Sequence, residues 1–158
     1  MRKLLAFALV LSLAATAMAY DITDISKGDK PVVHHAQNVP AGRQGGDTIL
    51  DAVMVTLPVV NGTGTTAGYA DDYDEVCPYT GSTSPDVVYT FTPAASVGLT
   101  IDMLGSAYDT KIYLYDQDLV LVACNDDFHP DWTLKLENVP CVGGVQYFLV
   151  VDGYGGDF

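Results

Sequence analysis

Four residues in a row, Cys124-Asn125-Asp126-Asp127, close the apolar run "LVLVA" and set sulfur and oxygen donors side by side. More acids stand in "ADDYDE", at Asp71, Asp72 and Asp74, and in "YDT", at Asp109. Two chemistries suit such residues. Paired carboxylates serve hydrolases as general acid and base. Calcium instead takes roughly six to eight oxygens from Asp, Asn and main-chain carbonyls, often from several loops.

The hydrolytic reading is the weaker. Neighbours on a strand point to opposite faces, so Asp126 and Asp127 would diverge rather than meet on one substrate. Neither H-E-x-x-H nor G-x-S-x-G occurs in the chain, and His129, followed by Pro130, reads as loop. No catalytic residue is expected. The cation reading nominates Asp72, Asp74, Asp109, Asn125, Asp126 and Asp127, with calcium as the ion. Strand corners need the same residue types, because Asn and Asp accept left-handed angles and bond their own main chain. Asp109 and Asp86 also read as buried acids that pin a turn and a strand start. Both alternatives stand at this point.

The elements that must position these residues are strands. "VVYTFT" sets Val87, Tyr89 and Phe91 against Val88, Thr90 and Thr92, and "GLTIDM", "KIYLYD", "LVLVAC", "TLKLEN" and "VQYFLVV" alternate likewise. "TILDAVMVTL" reads as the first strand of the set. Turn chemistry separates the runs, in "NGTG", "GSTSPD", "TPAAS", "DQD", "NDDFHPD" and "VGG". This spacing predicts an all-β chain, an antiparallel β-sandwich of jelly-roll type.

The N-terminus stands apart. Residues 1–19 join Arg2 and Lys3 to an apolar run and close on Ala17-Met18-Ala19, the form of a secretory signal peptide cleaved after Ala19. Its apolar core is short for a membrane span, and no later run is long enough for one. The expected location is extracellular or in the cell envelope. Residues 20–46 form a lead-in rich in Gly and Pro with the pair His34-His35, and residues 47–158 form the domain.

The whole chain carries 20 acidic and seven basic residues, a net charge of −13. Such a surface repels nucleic acid and anionic lipid and attracts cations. An apolar content of 49% places the acids on a folded surface rather than a disordered one. Export permits disulfides, and among Cys77, Cys124 and Cys141 the preferred bridge is Cys124–Cys141, leaving Cys77 over. No cysteine or histidine spacing fits a zinc site. Asn61-Gly62 reads as a tight turn before it reads as a glycosylation site. Trp132 is either a core lid or a binding aromatic.

The ordered set "GYADDYDEVCPYTGSTSPDVVYTFTP", "GSAYDTKIYLYD", "ACNDDF" and "GGVQYFLVVDGYGG" resembles the bacterial pre-peptidase C-terminal (PPC) domain from Asp47 to the end. The resemblance implies a jelly-roll-like sandwich and a non-catalytic accessory module of a secreted bacterial protein, with calcium bound in some relatives. The expected partner is an extracellular protein, a polysaccharide or a linked domain of the parent protein. The alternative is a fragment of a secreted peptidase whose catalytic domain lies elsewhere. The family's last strand, of the type G-x-Y-x-L, has no counterpart before Phe158, so the domain is expected to be incomplete at its C-terminus.

Overall fold

The computed structural model describes residues 44–158; residues 1–19, where a signal peptide is expected, the lead-in up to residue 43 and His34-His35 lie outside the described residues. Seven strands form: β1 (Val53–Met54), β2 (Val87–Phe91), β3 (Val97–Asp102), β4 (Thr110–Asp116), β5 (Leu121–Asn125), β6 (Lys135–Cys141) and β7 (Tyr147–Gly153). One sheet runs β1-β2-β7-β4-β5 and the second pairs β3 with β6. All pairings are antiparallel except the short parallel contact of β1 with β2. The expected all-β sandwich is what forms. No helix among the described residues is long and apolar enough to cross a membrane.

Alternation decides which side chains fill the space between the sheets. Val87 and Phe91 of β2, Ile112 and Leu114 of β4 and Val151 of β7 meet Leu99 of β3 and Leu136, Val139 and Cys141 of β6. Each fully buried aliphatic side chain here stabilises the fold by roughly 1.5–3 kcal/mol. Phe91 stacks on Tyr147 with ring centroids 5.5 Å apart.

The other face of the larger sheet is buried as well. Every residue of β4 from Thr110 to Tyr115 is buried, so alternation does not leave a wet side there. The cover is the strandless segment 66–86. Its Glu75 accepts a hydrogen bond from Tyr115 Oη (2.9 Å), and its main-chain carbonyls at Glu75 and Tyr79 take Lys111 Nζ at 3.1 and 2.6 Å. Cys77 packs with Val88, Tyr113, Tyr115 and Val150 under this cover.

The disulfide corrects the sequence reading. Cys77 bonds Cys124, and Cys141 is the free, buried thiol. The reason is facial. Ala123 of β5 points into the core between the sheets, so Cys124 points outward, toward segment 66–86. Cys141, on the other sheet, points into that core. Cys124 and Cys141 therefore face away from each other.

The run "TILDAVMVTL" also differs from expectation, with a 3-10 turn at Ile49–Asp51 and only two residues of strand. Asp51 Oδ1 accepts from Thr48 N (2.7 Å) and Thr48 Oγ1 (3.0 Å), closing a capping box that winds the chain where a strand was expected. Gly46, from the end of the lead-in, exchanges two main-chain hydrogen bonds with Val88, each 2.9 Å long.

Candidate cation site

Asp109 precedes β4, and Asp126 and Asp127 follow β5. In the β4–β5 ladder Ile112 pairs with Asn125 and Tyr113 with Cys124, both of the latter facing outward. Asp109 and Asp126 each lie one residue beyond the end of their strand, so the ladder sets their main chains close together. Asp126 would lie across from Lys111.

Asn125 turns the chain at the end of β5. Its Nδ2 donates to Lys135 O (2.7 Å) and its Oδ1 accepts from Asp126 N (2.8 Å). Both ends of the amide are thereby committed to the corner, where it ties β5 to β6. Once the strand has ended at Asn125, the rule that neighbours point apart no longer holds for Asp126 and Asp127. The structure brings one carboxylate oxygen from each of Asp109, Asp126 and Asp127 within 4.8 Å of one another. Asp109 and Asp126 are buried, and Asp127 is half-buried. The main-chain carbonyl of Asp109 accepts from Tyr154 N (3.1 Å), so the chain beyond β7 fixes the third corner of the site.

Of the six residues nominated from sequence, three meet. Asn125 builds the corner. Asp74 accepts from Gly81 N (2.7 Å) and Ser82 N (3.3 Å) and lies 3.7 Å from Lys111 Nζ; burial is the largest single influence and raises its carboxyl, but the two amides and the lysine together outweigh it and hold the carboxyl below the usual range. Asp72 belongs to the covering segment, where its N–H donates to Asp86. Neither Asp72 nor Asp74 joins the three-carboxylate group.

Three carboxylates this close repel one another strongly. At 4.8 Å an ionised pair costs on the order of 3 kcal/mol at an effective dielectric of about 20. A hard divalent cation turns that repulsion into attraction. Oxygen donors alone, drawn from two separate loops, match calcium better than a transition metal.

The same site bears a turn that displays aromatic rings. His129 N and Trp132 N bond to Thr133 O (2.9 Å) and His129 O (3.0 Å), and Thr133 Oγ1 donates to Asp131 (2.8 Å). His129 Nε2 lies 3.0 Å from Asp102 Oδ1, tying the turn to β3. The turn leaves Phe128 47% and Trp132 37% exposed, the latter at φ 68°. Trp132 is therefore neither a core lid nor fully free. Lys135 sits over the Phe128 ring at 5.5 Å.

Of the buried polar row under the covering segment, sequence reading named Asp86 as a buried acid at its strand start and missed Lys111 and Asp152. Asp86 and Asp152 are fully buried and Lys111 nearly so. A lysine alternating with Tyr113 and Tyr115 reads as a wet strand face, and nothing local distinguishes it from a covered one. Comparison with family models, with curated proteins and with solved structures finds no match to this chain.

Proposed function

We propose that this chain is a non-catalytic, calcium-stabilised accessory module of an exported protein, which presents the 126–133 turn to an extracellular protein or polysaccharide. One observation carries the reading: Asp109, Asp126 and Asp127 converge at the base of the turn that exposes Phe128 and Trp132. Calcium there would bind two chain segments together and hold the aromatic turn in place. The ring faces and the polar rim around them, Asp131 and His129, suit a sugar or an extended peptide. The disulfide accords with an oxidising compartment. The signal peptide read at residues 1–19 and the PPC resemblance point the same way.

Thermal unfolding of the mature protein in EGTA and in millimolar calcium tests the reading. A ligand that binds only the folded state raises the transition by mass action. A rise of several degrees, absent in Asp126→Asn and Asp127→Ala, is expected. An unchanged transition would leave the three acids as a strand corner.

A further inference from the structure

We infer that segment 72–82 is latched to the sheet by the buried acids Asp86 and Asp152 with one proton held on Asp86, and that the cover becomes less stable when that proton leaves. The placement follows from the ladder. Val87 pairs with Val151, so Asp86 stands across from Asp152 at the next position, while Lys111 pairs with Asp152 on the other side. Three ionisable groups thus form one row across β2, β7 and β4, all of them buried.

Each member of the row grips the covering segment. Asp86 Oδ2 accepts from the N–H groups of Asp72 and Tyr73, both at 2.9 Å. Asp152 Oδ1 accepts from Ser82 Oγ (3.1 Å) and Gly153 N (2.6 Å), and its Oδ2 from Tyr113 Oη (2.9 Å). Lys111 donates to the carbonyls of Glu75 and Tyr79.

Charge does not balance if both acids ionise. The one cation of the row, Lys111, already faces Asp74 at 3.7 Å. The remaining groups around the pair are neutral or acidic: Asp71, Asp72 and Tyr73 from the covering segment, Tyr108, Tyr113 and Tyr115 from β4 and the turn before it, Glu75 and Asp157 beyond Tyr115 and Tyr108, and Asp126 across from Lys111. Asp152 has donors on both oxygens and is matched as an anion. Asp86 Oδ1 receives no donor, and a proton there displaces no existing bond. Burial above all pushes each carboxyl from the ordinary 3.8 up to about 7, with repulsion from Asp72 and Asp71 adding to it at Asp86 and repulsion from Asp86 adding to it at Asp152.

The sign follows from linkage. A carboxyl whose folded value is raised keeps its proton in the native state while the unfolded chain has lost it. Stability from this pair is therefore greatest below about 4, declines as pH rises, and levels off above about 7. The unfolding transition is to be followed in EGTA from pH 4.5 to 8.5 for the native sequence, Asp86→Asn and Asp152→Asn, alongside the carbon-13 carboxyl shifts of the two acids in the native protein. The inference expects Asp86→Asn to flatten the fall in Tm and at least one of the two carboxyls to titrate above pH 6. A fall in Tm identical in the native sequence and Asp86→Asn would overturn it. If the variants do not fold, two carboxyls titrating below pH 5 in the native protein would do the same.

Discussion

Cys77 and Cys124 are 47 residues apart in sequence, and their Cα atoms stand 6.1 Å apart where the strandless segment 66–86 crosses the outer face of β5. The bond fastens to the sheet a stretch that has no strand hydrogen bonds of its own to keep it there. It also assigns the odd thiol to Cys141, inside the core.

Replacing both Cys77 and Cys124 with Ser is expected to cost about 2–4 kcal/mol, because the bridge closes a long loop in the unfolded chain. Urea unfolding measures the loss. Cys141→Ala should leave the disulfide intact, and mass analysis of the non-reduced, alkylated protein would then find no free thiol. A free Cys77 in that variant would contradict the assignment.

Asn125→Ala is expected to destabilise by about 1–3 kcal/mol, since it removes the amide that satisfies Lys135 O and the N–H of Asp126. Denaturant unfolding reads it directly. Because Asn125 sets the corner from which Asp126 departs, the same variant should weaken any calcium response. An intact response with reduced stability would separate the corner from the site.

The sheets were legible in the sequence wherever alternation had one dry face. "GLTIDM" and "VQYFLVV" each yield a strand close to where they were read, since Leu99 and Val151 must find the same core. The cover over β4 was not legible, because Lys111, Tyr113 and Tyr115 present the pattern of a solvated face until segment 66–86 is laid on them. The cysteine pairing failed for the same reason: it needs the facing of two strands in different sheets, which spacing does not encode. Of the acid site, Asp109, Asp126 and Asp127 could be named but not gathered. Their meeting depends on the strand ending at Asn125, a main-chain event that residue type alone leaves open.

Tyr113→Phe is expected to make the acid-to-neutral fall in stability steeper. The phenol donates to Asp152 Oδ2 and so favours the ionised carboxylate; without it the folded carboxyl rises further from its ordinary value. The loss should be small at pH 5 and about 1–3 kcal/mol at pH 8, where an under-bonded buried anion remains. A pH-independent loss would mean that only ring packing had changed.

Trp132 sits in the left-handed region at φ 68° with its ring part-exposed. Trp132→Gly relieves backbone strain while giving up partial burial, so stability should stay within about 1 kcal/mol. Attachment to an immobilised polysaccharide or peptide ligand should nevertheless fall. A strong loss of stability would place Trp132 in the structural frame instead.

The most direct test of the cation site is a calorimetric calcium titration of the mature protein, stripped with EGTA and desalted, beside Asp109→Asn and Asp126→Asn. The account expects one saturable calcium per chain, lost or weakened at least tenfold in each variant while both remain folded. No saturable binding, or binding indifferent to both substitutions, would contradict it.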